Sequence, residues 1–190
     1  FWALVEIVKA ECGLLDSEPP DDAVAKLDAA ISVDETDRDW LRQRLTPLVA
    51  PGGEPVAQEE SFTAWRRFLE GLATTGPAVL VFEDLHWADN AMLNFLEYLD
   101  DWSEGVPLLL LCTARPEFQE KHPTWAASAR NAQRINLGPL PDDETATLIA
   151  LLLERAVLPA ATQQTLLERA GGNPLYAEEF VGLPSAPSLL

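Results

Sequence analysis

In 190 residues, 47% hydrophobic and 23% charged, 31 acids outnumber 13 bases and leave a formal charge of −18. That excess of carboxylates repels polyanions, so direct binding of a nucleic-acid backbone is not expected. The apolar content suffices for a core of one domain or one and a half, but no apolar run approaches the ~20 residues that a bilayer requires, and the N-terminus lacks the layout of a secretory signal. No membrane partner is expected.

The first elements read as helices. "FWALVEIVKAECG" sets Phe1, Leu4, Val5, Val8 and Cys12 at helical spacing, with Gly13 as its stop. After Pro19 and Pro20, "DDAVAKLDAAI" opens on acids that complement a helix N-terminus, and "TDRDWLRQRLTPLV" repeats the pattern until "APGGEP" breaks it. The nine acids and two bases between Asp16 and Asp39 read as a solvated helical surface. "EESFTAWRRFLEGLA" predicts one more helix, ending near "TTGP".

The middle of the chain changes character. "AVLVF" and "PLLLLCT" are short, unalternating apolar runs, the pattern of strands covered on both faces, and "RINLGPL" is a weaker third candidate. Between the first two, Asp89 is placed to cap a helix "NAMLNFLEYLDDW" whose Met92, Phe95, Leu96 and Leu99 share one face. Strand, helix, strand implies a right-handed parallel crossover. Beyond lie a capped amphipathic helix, "PDDETATLIALLLERA", and two more helices broken at Gly171 and Gly172.

Glu83 and Asp84 follow the first strand directly, at the sheet edge where open α/β folds hold their ligands. Two adjacent acids there suit phosphoryl transfer, in which one holds Mg²⁺ and the next orients or deprotonates the attacking water. The plainer reading is that they mark the strand's exit into a turn. The second strand also ends on polar residues, Thr113 and Arg115, and an arginine at that rim is placed to reach a phosphate.

These residues resemble a family. "VLVFEDLHWAD" resembles the Walker B strand and turn of STAND-type P-loop ATPases, AAA-related modules of bacterial multidomain regulators, including those joined to adenylate or guanylate cyclases and LuxR-type activators. "CTARPEF" is similar to their sensor 1 strand and "ERAGGNPLYAEEF" to their Gly-Asn-Pro segment, and the likeness runs roughly from Phe62 to Val181. It implies an α/β fold: a partial P-loop NTPase (ASCE-type) parallel sheet with flanking helices over 1–140, a small helical subdomain over 141–183 and a linker over 184–190. It also implies ATP or ADP with Mg²⁺ as ligands. Glu83 stands where many members carry the Mg²⁺-binding Asp, and Asp84 where they carry the catalytic acid. Arg115 matches the sensor arginine, and Asn173 and Pro174 match the motif near the nucleotide base. His86, Trp87 and Asp89 belong to the motif without an assigned role; Asp89 reads more simply as a cap and Trp87 as a packing residue.

The Walker A loop, a glycine-rich turn followed by Gly-Lys-Ser/Thr, has no counterpart: the lysines are Lys9, Lys26 and Lys121, and none follows a glycine. The sole methionine is Met92, so Phe1 is not a translation start, and "GLPSAPSLL" reads as a linker. The expectation is therefore a fragment of a cytoplasmic ATPase switch, with the two cysteines, Cys12 and Cys112, reduced and Walker A supplied upstream. In the family's strand order, "LLLLCT" lies between "VLVFE" and the strand that precedes Walker A. The fragment alone is then expected to bind ATP weakly or not at all. A neighbouring output domain and ATP-dependent self-association are further implications of the resemblance.

Two other readings remain at this point. One is a non-catalytic scaffold with a degenerate nucleotide site, to which Glu in place of Asp at position 83 lends support. The other is a metal enzyme that draws ligands from Glu83, Asp84, His86 and Asp89, with His122 the remaining histidine.

Overall fold

A computed structural model of the chain describes residues 1–32, 35–51, 56–74, 76–127, 129, 131–153 and 159–182. The linker expected over 184–190 lies outside these residues. The chain is mixed α/β and forms two compact units, Phe1–Ala132 and Gln133–Leu190.

In the first unit, α1 (Trp2–Cys12) ends as its sequence predicts, with Gly13 in the left-handed region at φ 62°. The amide of Leu14 then bonds back to the Lys9 carbonyl at 2.9 Å, which satisfies the last turn. Helix α2 (Pro20–Ala30) starts on proline with Asp21 and Asp22 in its first turn, and α3 (Glu35–Val49) follows. In α4 (Gln58–Leu72), Phe62, Trp65, Phe68 and Leu69 recur at helical spacing and are buried. Phe62 and Trp65 meet Phe95 edge-on, at centroid distances of 5.2 and 5.4 Å, the geometry that the aromatic quadrupole favours. Ion pairs of Arg44 with Glu60 and of Arg67 with Asp37 bracket the Trp40 ring on the rim of α3 and α4.

Strands β1 (Ala78–Phe82) and β2 (Leu108–Cys112) pair in parallel, in register from Ala78 opposite Leu108 to Phe82 opposite Cys112. Helix α5 (Asn90–Trp102) makes the crossover, and its cap is the expected one: the Asp89 carboxylate accepts from the Met92 amide at 2.7 Å. Met92, Leu93, Phe95, Leu96 and Leu99 lie on the buried face of α5.

The sheet departs from expectation in one respect. Leu80 and Phe82 are buried against the helical core, and Leu108, Leu110 and Cys112 pack on it too, but the alternate residues face outward. Val79, Val81, Leu109 and Leu111 are 56, 47, 57 and 50% exposed. Among the described residues the helical core covers one face, so the strands are not sandwiched as an unalternating apolar run implies.

Strand β2 leads into α6 (Pro116–Lys121), whose Phe118 is buried. Trp125 packs edge-on against Phe118 at 5.3 Å, and the Ala126 amide bonds to the Glu97 carboxylate at 3.0 Å, which ties this segment to α5.

The second unit holds α7 (Asp142–Leu152), α8 (Ala160–Ala170) and α9 (Pro174–Gly182) around Ile149, Ala170 and Ala177. The start of α7 is not side-chain capped; its acids Asp142, Asp143 and Glu144 act through the helix dipole instead. The segment 134–140, the weaker strand candidate, pairs with no strand among the described residues. Pro139 offers no backbone donor, and the next amide, Leu140, bonds to the Gly172 carbonyl at 2.8 Å. The segment is thus pinned to the α8–α9 corner.

That corner explains its glycines. Gly171 ends α8 at φ 55°, and Gly172 continues at φ 75°. A Cβ on Gly172 would lie 2.5 Å from the Leu140 carbonyl oxygen and 2.7 Å from Pro139 Cβ. Replacement of Gly172 by alanine is expected to destabilise the second unit by about 2 kcal/mol or more, from left-handed strain plus the clash. Gly138, whose Cβ would meet nothing within 4 Å, serves as the control. Denaturant unfolding of Gly172→Ala beside Gly138→Ala measures the difference, and equal stabilities would contradict this account.

Candidate functional site

At the C-terminal ends of the two strands the backbone is stitched across. Beyond the last register pair, the Thr113 amide donates to the Phe82 carbonyl at 3.0 Å and the Leu85 amide to the Thr113 carbonyl at 2.9 Å. The Asp84 amide donates to the Thr113 hydroxyl at 3.2 Å. One residue of β2's exit therefore accepts from both residues that follow Glu83, and the acidic turn leaves the sheet in a fixed direction.

That direction requires an uncommon backbone. Asp84 has φ 56° and ψ 43°, the left-handed region, which aspartate tolerates better than most residues but not without strain. A single 3₁₀ turn, Leu85–Trp87, follows, closed by the Trp87 amide on the Asp84 carbonyl at 2.9 Å. Leu85 inserts into the core and anchors the turn from below, while Glu83 and Asp84 stay exposed.

Glu83 makes no hydrogen bond or ion pair among the described residues. The Asp84 carboxylate has one close neighbour of complementary type, His86 Nδ1 at 3.8 Å. Arg115 caps α6 through its backbone conformation, is exposed, and pairs with no acid among the described residues. The structure thus brings Glu83, Asp84, Thr113 and Arg115 to one end of one parallel pair, with the Glu83 carboxylate and the Arg115 guanidinium uncommitted among the described residues.

Asn173 and Pro174 belong to the second unit. There they have local work: the Asn173 side-chain oxygen accepts from the Leu175 amide at 3.0 Å, and Pro174 occupies the first position of α9, where a missing amide hydrogen loses nothing.

Sequence reasoning named the acids and the arginine but not the role of Thr113. Its signal was available: it is the first polar residue after an apolar strand, one step from Cys112 and so opposite the acids if the strands run parallel. The burial of His86 left no such signal.

Among the described residues, no group of three or more His, Cys, Asp or Glu side chains is arranged to hold a metal ion. The four-ligand centre of Glu83, Asp84, His86 and Asp89 is therefore not formed. Mg²⁺ asks for less: it retains several waters and takes only one or two carboxylates from a protein. Glu83 and Asp84 are exposed and adjacent at this rim. Among the described residues no helix is long and apolar enough to cross a membrane.

No family model matches the chain, and no solved structure does. The protein of Rhizobium meliloti (strain 1021) named Uncharacterized protein R02095 is 35% identical over 127 residues, which make up 65% of this chain and 12% of that protein. The chain therefore matches a small part of a much longer relative.

Two outcomes are expected at this rim. Asp84→Gly and Asp84→Ala both delete the carboxylate, but only glycine keeps the left-handed turn without strain, so Asp84→Ala should be less stable than Asp84→Gly by about 1 kcal/mol. Equal stability of the two variants would remove the strain from the account. Burial pushes the Cys112 thiol up to about 11, and burial together with Glu11 does the same for Cys12. Thiolate is then scarce at neutral pH, so alkylation of the native protein should be slow at pH 8 and accelerate about tenfold per pH unit as pH rises toward 11. Rapid labelling of either cysteine at pH 8 would contradict that.

Proposed function

We propose that this chain is part of an ATP-binding and hydrolysing switch module of a larger cytoplasmic signalling protein, with the Walker A loop supplied by sequence upstream of Phe1. The observation that carries the reading is the rim itself: a parallel βαβ unit whose two strand exits are tied through Thr113, with Glu83 and Asp84 on one exit and Arg115 on the other. Ligand sites of open α/β sheets occupy this position. The resemblance of the three motifs to STAND-type, AAA-related P-loop ATPases supports the same conclusion.

In this reading Glu83 and Asp84 would hold Mg²⁺, which would supply charge neutralisation for a bound phosphate. Asp84, fixed by its backbone bond to Thr113, orients and deprotonates the attacking water. Arg115 takes charge that develops on the phosphate, and Asn173 and Pro174 report the nucleotide to the helical unit. Hydrolysis or exchange then alters an output domain in the same polypeptide, and ATP binding promotes self-association.

A second reading, a scaffold of the same fold without nucleotide chemistry, draws on Glu83, whose arm is longer than that of the usual aspartate.

A polypeptide extended upstream through the next strand and loop separates the two. In the switch reading that segment contains a Gly-Lys-Ser/Thr loop, and the extended protein hydrolyses ATP with Mg²⁺. Asp84→Asn should lower kcat by roughly 10²- to 10⁴-fold, the usual contribution of a positioned general base, with ATP affinity retained. An extended protein without the lysine and without turnover would establish the scaffold. Titration of the present 190-residue chain with MgATP should give no micromolar binding; such affinity would contradict an upstream phosphate cradle.

A further inference from the structure

His86 is the residue of the turn that the motif leaves without a role. Its side chain is only 8% exposed, yet neither ring nitrogen makes a hydrogen bond among the described residues. A neutral imidazole has one N–H donor and one acceptor nitrogen, and burial of such a group without a partner is costly, on the order of 1–3 kcal/mol. The 3₁₀ turn enforces this position. It carries Leu85 into the core, buries most of the His86 side chain, and leaves Trp87 78% exposed beside it, with the two rings 5.1 Å apart.

Among the described residues, the charged group that faces the ring is the Asp84 carboxylate, whose Oδ1 lies 3.8 Å from Nδ1. That separation exceeds a hydrogen bond by less than about 1 Å. Asp84 is held by its backbone, while its side chain is 69% exposed and takes no other partner among the described residues.

We infer that His86 is a positioning residue for Asp84: its Nδ1–H donates to the Asp84 carboxylate and locks the acid in one orientation. The assignment of Asp84 as the catalytic acid rests on the ATPase reading above; the pairing itself rests on the geometry. The pairing has a chemical consequence. With the proton committed to Nδ1, the imidazole is fixed in one tautomer, and one carboxylate oxygen is oriented while the other remains open to Mg²⁺ or water. Both ring nitrogens of His86 are buried, so its effect passes through Asp84.

The tautomer is directly observable, because the chain has only two histidines, His86 and His122. In the ¹⁵N-histidine-labelled chain, at a pH where imidazole is neutral, long-range ¹H–¹⁵N spectra should show His86 protonated on Nδ1. Asp84→Gly, which keeps the turn and deletes the carboxylate, should return it to the Nε2–H form that free imidazole side chains prefer. An Nε2–H form in the parent chain, or a spectrum indifferent to Asp84→Gly, overturns the pairing. In the upstream-extended protein, His86→Ala should lower kcat about ten- to hundredfold with KM unchanged, and His86→Asn, whose amide N–H stands near the Nδ1 position, should restore most of it. Full kcat in His86→Ala would overturn the positioning role. Absence of turnover in the parent extended protein would defeat the ATPase reading instead, while the tautomer spectra still decide the pairing.

Discussion

Everything at the strand rim follows from the parallel pairing of β1 with β2 and from its last link, Thr113. Parallel neighbours end at the same edge, so whatever leaves the sheet after Phe82 must pass whatever leaves it after Cys112. Thr113 turns that proximity into fixed geometry: its amide, carbonyl and hydroxyl each hold the opposite exit. The left-handed Asp84, the 3₁₀ turn and the buried His86 are successive consequences. A backbone held on one side by three hydrogen bonds, and on the other by Leu85 in the core, has little choice but to fold tightly between them. Strain at Asp84 is sustained by its surroundings, the circumstance in which uncommon backbone conformations persist.

Much of this architecture was legible in the residues. Gly13 announces the end of α1, Asp89 the start of α5, and the apolar runs at Ala78 and Leu108 with a helix between them announce a parallel crossover. These features are local, or depend on a chirality rule that holds for nearly all such units. The expectations that failed depend on what lies across from an element. A run such as "LLLLC" is equally apolar on both sides, so its composition could not reveal that Leu109 and Leu111 meet water while Leu108 and Leu110 meet the core. "RINLGPL" has the content of a strand, but Pro139 and the Gly172 carbonyl decide its partner, and Gly172 lies more than thirty residues away.

The site divides in the same manner. That two acids stand at a strand end, and an arginine at another, is a statement about order along the chain and could be read from it. That Asp84 is left-handed, and that His86 is buried beside it with Nδ1 3.8 Å from its carboxylate, depends on Leu85, Thr113 and the closure of one short turn. Asn173 and Pro174 show the converse. They were legible as a motif, yet their immediate duties are those of any helix start: a side-chain cap and a proline in the first turn. A motif can therefore survive for reasons of backbone geometry as well as chemistry, and the left-handed Gly172 against Leu140 is the clearest instance here.

The sheet combines two demands that proteins usually keep apart. Val79, Val81, Leu109 and Leu111 give water an oily stripe, and they grow from the same ten peptide units that aim the acids and Thr113. Any attempt to make that stripe wettable must graft polar atoms onto the very rails that carry the rim. Solubility and alignment are thus bound to each other here, and neither can be tuned without disturbing the other.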